Sequence, residues 1–529
     1  MSNPSKHIYS VGNFQSAFLI LFTSFVYAAY FVLRYGGLWT ENDTAVFTQI
    51  TTQMLDARSV LFPGQYSHGF GYPTWLGSLS LLTGLSVPIM NTIVMPFIAL
   101  LLFTIAAYIA YRIFLKSDKL AALSVLIIFA IPDVMFTLLR GNHEKLNIVL
   151  MLWALVMLFR AFDAVQKGVL RDSAIWIVLF YVFVFTNATV NDYFASTFAV
   201  AATLTLIGGW GLLRIHSPAT TRYRSQIIRL GSYVVGSWLL VWWVMLYVFP
   251  PAGHDFGLAH SALNKIVDLF LTLHTSSNPY AAPAAEWAGK TDQFLVASFR
   301  WLLSGLSIAI WGYELWKVIW RKQSRSFEHL FLLALYGAFG FLVALAIPLD
   351  FTGMNAGTNL EVRNFPYYAL MASPVLIWGI IPRLKLLKGA KRQWVSTVTA
   401  VALGVFVLIG LFKSTLDPVI SNQWLFYTPA ERQALGAFDN HSQSQSLWTG
   451  PDNRLVYANA MWHPNDLGGN AVTGYQFTSA YRDILISPEV IANSLVEETP
   501  VPLYLEQNRI YDNGSAQIYR MRPRTPFET

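Results

Sequence analysis

Residues 330–349, LFLLALYGAFGFLVALAIPL, form an apolar segment of 20 residues without a charged side chain. An α-helix of this length spans about 30 Å, the thickness of the hydrocarbon core of a bilayer. The whole chain of 529 residues is 54% hydrophobic and 12% charged, which is about half the charged fraction of an average soluble protein. These numbers exclude an ordinary soluble enzyme and predict a protein that folds in the lipid bilayer.

Comparable apolar segments recur along the chain and predict eleven transmembrane helices. They cover residues 14–34, 87–115, 120–138, 145–165, 174–190, 193–213, 230–250, 294–320, 330–349, 364–382 and 395–413. The segment 87–115 contains Pro88 and Pro96, the segment 174–190 is short, and the segment 294–320 is long enough to tilt. The predicted fold class is therefore an all-α polytopic membrane protein.

Positive charges orient the predicted helices, because cytoplasmic loops collect Lys and Arg. Of the 36 Lys and Arg residues, 20 fall in loops on the N-terminal side of the membrane, nine on the opposite side, and seven after residue 413. We expect a cytoplasmic N-terminus and, after eleven crossings, an extracytoplasmic C-terminus. The same asymmetry accounts for the net charge of +7, so no nucleic-acid partner is predicted. The chain has no Cys, which excludes thiol catalysis.

Residues 414–529 differ in composition from residues 1–413, with 12 acidic and seven basic residues and no segment long enough to span a membrane. We predict a transmembrane domain over 1–413 and a small soluble α/β domain over 414–529. Helices are predicted to begin at Thr428-Pro429 and Ser487-Pro488, where a capping residue precedes a proline. Strands are predicted over 454–457, 501–505 and 516–519, with a turn at 512–514.

Candidate site residues lie in the predicted outer loops, residues 35–86, 139–144, 251–293 and 350–363, because polar groups kept at an apolar boundary are costly. The first of these loops contains Glu41-Asn42-Asp43, close to the end of the first predicted helix. Two carboxylates separated by one residue can share a divalent cation, or one can act as a base while the other tunes its pKa. In the alternative interpretation, Asn42 or Asp43 caps the start of the next helix.

The same loop contains the stretch YSHGFGYP at residues 66–73, in which aromatic residues alternate with glycine and one histidine. Flat aromatic rings stack on sugar faces, and glycine admits a close backbone approach. Tyr66, His68 and Tyr72 could therefore line a pocket for a sugar or a lipid headgroup. The alternative is an interfacial aromatic belt that contains a turn.

The second outer loop is short but rich in ionisable side chains, which run from Arg140 to Lys145. His143 and Glu144 could add ligands to a cation held by the first loop, or orient a hydroxyl acceptor. The alternative is a solvated turn in which Arg140 and Glu144 pair at helical spacing.

Two further outer segments are interpreted as structural. The outer turn between the fifth and sixth predicted helices holds Asn187, Asn191 and Asp192, for which a capping role is expected. The loop 251–293 is predicted to form a partly helical lid. Its histidines are too scattered along the sequence to form a metal-ligand signature, so a structural role is favoured.

The loop 350–363 ends with Arg363, one residue before an apolar segment. An arginine at the outer end of a transmembrane helix opposes the charge asymmetry, so it requires a partner. A guanidinium group matches the geometry of phosphate and carboxylate. A lipid phosphate at the outer interface would suit Arg363, and Glu361 is the alternative partner.

In their order along one chain, these features resemble the GT-C superfamily of integral-membrane glycosyltransferases, in particular the protein mannosyltransferases and the aminoarabinose transferases of lipid A. The resemblance rests on five features. They are the acidic first outer loop at 41–43, the aromatic and glycine-rich stretch 66–73, the short polar second loop, the Arg-aromatic-Pro entry RNFPYY at 363–368, and the C-terminal outer domain.

The resemblance implies direct displacement of a sugar from a polyprenyl-phosphate donor onto a glycan, lipid or protein acceptor, outside a bacterial or archaeal plasma membrane. Asp43 would be the general base or metal-positioning carboxylate, and Arg363 would neutralise the departing lipid phosphate. His143 and Glu144 would be site residues of the second loop. The implied cofactor is a divalent cation, Mg²⁺ or Mn²⁺, although the first loop reads E-x-D rather than D-x-D.

Two other functions are compatible with this topology. A transporter or flippase of lipid-linked sugars would place polar residues near the midpoints of its helices and show two matching halves, whereas most segments here have apolar centres. A polysaccharide polymerase or ligase would concentrate Arg and His in one large outer loop. The loop 251–293 contains Lys265 and Lys290 beside its histidines but no arginine.

Overall fold

A computed structural model describes most of the chain. The described residues are 11–216, 221–253, 290–323, 325–351, 360–386, 388–414, 425–441, 446–450, 453–462, 482–496 and 504–521, with short pieces between them. Most of the predicted lid, 251–293, lies outside the described residues.

Fourteen helices, which run from α1 to α14, make up the N-terminal part of the described chain, and a two-residue strand follows α1. They are α1 (Val11–Tyr35), β1 (Trp39–Thr40), α2 (Asn42–Ala57), α3 (Gly71–Thr83), α4 (Val87–Leu115), α5 (Asp118–Phe129), α6 (Pro132–Leu139), α7 (Glu144–Lys167), α8 (Leu170–Val190), α9 (Asp192–His216), α10 (Thr221–Trp243), α11 (Lys290–Ile319), α12 (Phe327–Asp350), α13 (Leu360–Leu386) and α14 (Gly389–Lys413).

Ten of the described helices are long and apolar enough to cross a membrane, and the bent pair α5–α6 raises the number to eleven if it counts as one span. The predicted fold class is therefore confirmed. Two helices lie at the centre of the bundle: the apolar part of α7 is 78% buried and that of α13 is 83% buried, against 11% for α14. Candidate site residues lie at the N-terminal ends of both central helices.

The segment 120–138, predicted as one straight helix, is instead bent by 83° between α5 and α6. Pro132 begins the second helix, because a proline cannot continue the hydrogen-bond ladder of the first. Asp118 pairs with Arg112 of α4 at one end of the pair, and Arg140 contacts Asp43 at the other. The bent pair therefore leads the chain from one end of the bundle to the end that carries Asp43.

The C-terminal part is a small α/β unit with a hydrophobic core of its own, centred on Trp448, Leu455 and Ile484. Its elements are β2 (Leu416–Asp417), β3 (Asn422–Gln423), β4 (Leu425–Phe426), α15 (Pro429–His441), β5 (Leu447–Trp448), α16 (Arg454–Trp462), β6 (Ala471–Val472), β7 (Asp483–Ile486), α17 (Pro488–Val496), β8 (Asn508–Asp512) and β9 (Gln517–Arg520). Five strands form one mixed sheet in the order β6-β5-β7-β9-β8.

Local sequence signals in this unit were partly right. Helices begin at Pro429 and Pro488 as predicted, and β9 follows the predicted turn. The strand predicted over 454–457 is wrong, because these residues begin α16, whose buried side chains Leu455, Ala458 and Met461 recur every third residue. The described residues of 501–505 form no strand either, and the neighbouring strand begins at Asn508.

The C-terminal unit holds the chain immediately before the acidic loop. Strand β1 pairs antiparallel with β4, with Trp39 opposite Phe426 and Thr40 opposite Leu425. The ring of Tyr35 stacks on Phe426 at a centroid distance of 4.4 Å, and α16 packs against α2. The first loop of the bundle is thus fixed by the last domain of the chain.

Candidate active site

Glu41 caps helix α2. Its carboxylate accepts hydrogen bonds from the backbone N–H groups of Thr44 at 2.8 Å and Asp43 at 3.1 Å, and from the Thr44 hydroxyl at 2.8 Å. Burial and the nearby Asp43 charge raise the pKa of Glu41. The prediction that Asn42 or Asp43 would cap this helix is wrong, because the longer Glu41 side chain satisfies the first N–H groups. The Asp43 carboxylate is therefore not needed as the cap, and it contacts the second loop instead.

Arg140 lies between the two carboxylates of the site. Its Nη1 is 3.3 Å from Asp43 Oδ2, and its Nη2 donates to Glu144 Oε2 at 2.6 Å. Asn142 Nδ2 also donates to Asp43 Oδ2, at 3.4 Å. Burial alone would lower the pKa of Arg140, but the charges of Glu144 and Asp43 outweigh it and raise the value, so the group stays a cation. The pairing of Arg140 with Glu144 agrees with the alternative prediction, but a solvated turn is wrong, because the loop is buried.

Asp43 combines a fixed and an open side. Its side chain is 36% exposed, and both of its contacts to the second loop fall on Oδ2. Among the described residues, none hydrogen-bonds to Oδ1. One carboxylate oxygen is therefore anchored while the other can accept a proton.

Gly141 brings the two loops into contact. Its N–H donates to Thr44 Oγ1 at 2.8 Å, and its carbonyl accepts from Asn91 Nδ2 at 3.2 Å. A Cβ at this position would lie 2.6 Å from Asn91 Nδ2, so only glycine fits. Asn91 also accepts the hydroxyl of Tyr72 at 2.7 Å. Tyr72 is completely buried, so it supports the loops and does not line an open pocket.

His143 lies in an aromatic box beside the carboxylates. Its ring contacts Phe47 and Tyr66 at centroid distances of 5.0 and 5.3 Å. Asn191 Nδ2 donates both to His143 Nε2 at 3.0 Å and to the Tyr66 hydroxyl at 3.1 Å. Burial lowers the pKa of His143 to about 4. The imidazole is therefore neutral, with its proton on Nδ1, because Nε2 accepts from Asn191.

His68 approaches the turn between α8 and α9. Its Nδ1 lies 3.7 Å from Asp192 Oδ1, and the Asp192 N–H donates to the His68 carbonyl at 3.0 Å. Gly69 has φ +157°, and a Cβ there would lie 2.5 Å from the Thr189 carbonyl. The close approach that glycine permits is thus to the protein's own backbone.

Arg363 reaches the same cluster from helix α13. Glu361 pairs with Arg300 at 2.9 Å, so the alternative pairing of Glu361 with Arg363 is wrong. No described residue forms an ion pair with Arg363, whose side chain is exposed. Burial and Asp43 raise the pKa of Tyr66 while Arg363 lowers it. The pKa of Tyr66 therefore responds to the charges of both Asp43, the predicted base, and Arg363, the predicted phosphate-binding residue.

Three site residues were missed or given only structural roles from the sequence. Arg140 was interpreted as a partner of Glu144 alone, Asn142 was given no role, and Asn191 was interpreted as a cap. Asn191 does cap α9, through Phe194 N at 3.1 Å, but its amide also bonds the box. The charge density of the second loop was the available signal for Arg140, whereas nothing in the sequence pointed to Asn191.

A bound divalent cation does not fit this arrangement. Among the described residues, no group of three or more His, Asp or Glu side chains is placed to hold a metal ion. Glu41 is turned into the helix cap, and the Arg140 guanidinium bridges Asp43 and Glu144.

The chain is similar in fold to membrane oligosaccharyltransferases of known structure. A neighbour is the Archaeoglobus fulgidus oligosaccharyltransferase in the apo form, with a TM-score of 0.57 and 10% identity over 92% of this chain and 71% of that chain. The same archaeal enzyme, AglB, in complex with an inhibitory peptide and a dolichol-phosphate gives a TM-score of 0.56 and 10% identity over 98% and 75% of the two chains.

ArnT from Cupriavidus metallidurans bound to undecaprenyl phosphate is more distant, with a TM-score of 0.47 and 12% identity over 96% of this chain and 97% of that chain. No protein-family model and no curated protein sequence matches the chain.

Proposed function

We propose that this protein is a membrane glycosyltransferase that moves a sugar from a polyprenyl-phosphate donor to an acceptor by direct displacement. The observation that carries the proposal is the placement of Asp43 and Arg363. The Asp43 side chain is partly exposed and the Arg363 side chain is exposed, both at one end of the bundle. Both charges act on the pKa of Tyr66, and neither side chain caps its own helix. A carboxylate and a guanidinium group that both lie near Tyr66 can serve the two ends of one displacement reaction.

Asp43 is the proposed general base. Its Oδ1 takes the proton of the acceptor hydroxyl or amide as that group attacks the anomeric carbon of the sugar. The bond from the anomeric carbon to the lipid phosphate breaks as the new glycosidic bond forms. Arg140 and Asn142 hold Oδ2, so the base keeps one orientation through the reaction.

Arg363 is the proposed phosphate-binding residue. The lipid phosphate gains negative charge as the glycosidic bond breaks, and a guanidinium group matches phosphate with two parallel hydrogen bonds. An interaction that strengthens as charge develops lowers the barrier more than it tightens substrate binding. Arg363 should therefore act mainly on kcat.

Three observations support a polyprenyl-phosphate donor. Arg363 is at the start of a central apolar helix, at the boundary where a lipid phosphate resides, and the sequence contains no glycine-rich nucleotide loop. AglB, which shares the fold, has been solved with a dolichol-phosphate. The excess of Lys and Arg at the opposite end favours an extracytoplasmic active site, which nucleotide sugars do not reach.

The test is sugar transfer by the purified protein in nanodiscs, with a panel of polyprenyl-phosphate sugars as donors and with hydroxyl and amide acceptors. Asp43→Asn should abolish transfer without lowering the melting temperature. Asp56→Asn, an exposed carboxylate on the same helix, is the matched control and should keep full activity. Movement of an unchanged lipid-linked sugar across proteoliposomes, without transfer to any acceptor, would instead establish a transporter.

A further inference from the structure

Arg140 occupies the position in which two carboxylates of a site usually share a cation. Its guanidinium group contacts Asp43 at 3.3 Å and Glu144 at 2.6 Å, and its face lies over the Phe136 ring at 5.4 Å. The side chain is buried. The group is therefore held on three sides, and its charge is not screened by bulk water.

The surrounding groups favour a guanidinium group over a metal ion. Asn142 presents its N–H to Asp43, so this amide acts as a donor toward the carboxylate. The His143 Nε2 lone pair accepts from Asn191, and Glu41 caps its own helix. A divalent cation between Asp43 and Glu144 would also meet the buried positive charge of Arg140 at close range, where repulsion is strong.

We infer that Arg140 is a built-in replacement for a divalent cation, so that this site positions Asp43 without metal. The inference rests on the proposed function, in which Asp43 is the base. Arg140 is a positioning residue: it acts on the reaction through Asp43, and Glu144 supplies the second negative charge that keeps it in place.

The decisive experiment measures Mn²⁺ binding by electron paramagnetic resonance, which does not depend on activity. The wild-type protein should leave the signal of free Mn²⁺ unchanged. Arg140→Ala, which leaves two facing carboxylates, should bind one Mn²⁺ per chain. The double variant Arg140→Ala with Glu144→Gln should lose that binding again.

Measurement of sugar transfer provides a second test. Transfer by the wild type should be insensitive to EDTA, and Arg140→Lys, which keeps the charge but loses the fork, should reduce kcat on the order of 100-fold. Arg325→Lys is the matched control, because it weakens an ion pair with Glu314 that lies beside Arg383, at the other end of α13 from Arg363. It should lower the melting temperature but leave kcat unchanged.

Stoichiometric Mn²⁺ binding by the wild type that disappears in Asp43→Asn would overturn the inference, as would complete inhibition by EDTA that Mn²⁺ restores. The wild-type measurements decide the matter even if Arg140→Ala does not fold. If no donor is turned over, the proposed function fails, while the Mn²⁺ result still decides the role of Arg140.

Discussion

Two buried arginine–carboxylate clusters in this molecule differ in how completely their polar atoms are paired. In the C-terminal unit, the Glu431 carboxylate accepts hydrogen bonds from Nη1 and Nη2 of Arg454, at 2.6 and 2.8 Å. It also accepts hydrogen bonds from Thr428 and Ser487. In the Arg140 cluster, several buried atoms have no hydrogen-bond partner among the described residues. They are Arg140 Nε, Asn142 Oδ1, His143 Nδ1 and Lys145 Nζ.

The difference separates a structural cluster from a candidate site. Buried polar atoms are almost always paired in folded proteins, because an unpaired group costs about 1–3 kcal/mol. The Glu431 carboxylate obeys this rule through five protein hydrogen bonds. The Arg140 cluster departs from the rule at the place where sugar hydroxyls and phosphate oxygens would supply the missing partners.

Removal of the Glu431 charge should give the largest effect. Glu431→Ala leaves Arg454 buried without its counter-ion, which costs about 3–5 kcal/mol. We expect the C-terminal unit to unfold at least partly, measured by limited proteolysis and by thermal unfolding. Glu506→Ala, which removes an exposed carboxylate of the same unit, should leave both measurements unchanged. Equal stability of the two variants would show that the Glu431 cluster does not stabilise the C-terminal unit.

Arg363→Ala should have a large kinetic effect and little effect on stability, because no described residue pairs with this side chain. We expect kcat to fall about 100- to 1,000-fold while KM for the donor changes less. Steady-state kinetics with a polyprenyl-phosphate sugar measure both constants. Arg482→Ala, an exposed arginine of the C-terminal unit, is the control. A variant that raises KM alone would show that Arg363 binds the donor equally in the ground and transition states.

Lys145→Met should stabilise the protein. The Lys145 side chain is completely buried below the site, its Nζ has no hydrogen-bond partner among the described residues, and it lies 5.9 Å from the centre of the Tyr72 ring. Replacement by an apolar side chain of similar volume removes the cost of the unpaired amine, so unfolding should require about 1–3 kcal/mol more. Thermal unfolding in nanodiscs measures the change, and destabilisation would mean that the amine has a partner it needs.

At neutral pH, His143→Gln should have the smallest effect on stability, because its titration term develops only at acid pH. The folded protein holds the pKa of His143 at about 4, against an ordinary value of 6.5. The unfolded chain therefore binds a proton first, so wild-type stability falls as the pH drops from 6.5 toward 4. Glutamine does not titrate, so the melting temperature of the variant should depend less on pH in this window. Parallel curves for the two proteins would show that His143 titrates normally.

The fold could be predicted from the sequence because its signals are local. The length of an apolar segment and the charges that flank it decide whether a helix spans the bilayer, and both can be counted without tertiary information. The prediction of a strand over 454–457 was wrong because it relied on a local signal alone. Four residues are too few to distinguish alternation from a helical repeat, and the repeat becomes clear only over all of α16.

The site could be predicted less well, because its contacts join distant parts of the chain. The sequence pointed to Asp43, His143, Glu144 and Arg363 as single residues, and their roles remain predictions. It offered Glu361 as the alternative partner of the arginine two residues away, whereas the folded chain pairs Glu361 with Arg300, 61 positions earlier. Proximity along the chain favours the near partner, but helix packing decides between them.

The pairing of β1 with β4 sets the order in which this protein can mature. The strand that precedes Glu41 is synthesised before its partner, Leu425–Phe426, which follows nearly four hundred residues later. During synthesis, the strand β1 therefore has no β4 to pair with until Leu425–Phe426 has been made. A nascent chain cannot form the β1–β4 pair beside the acidic loop until Leu425–Phe426 has left the ribosome.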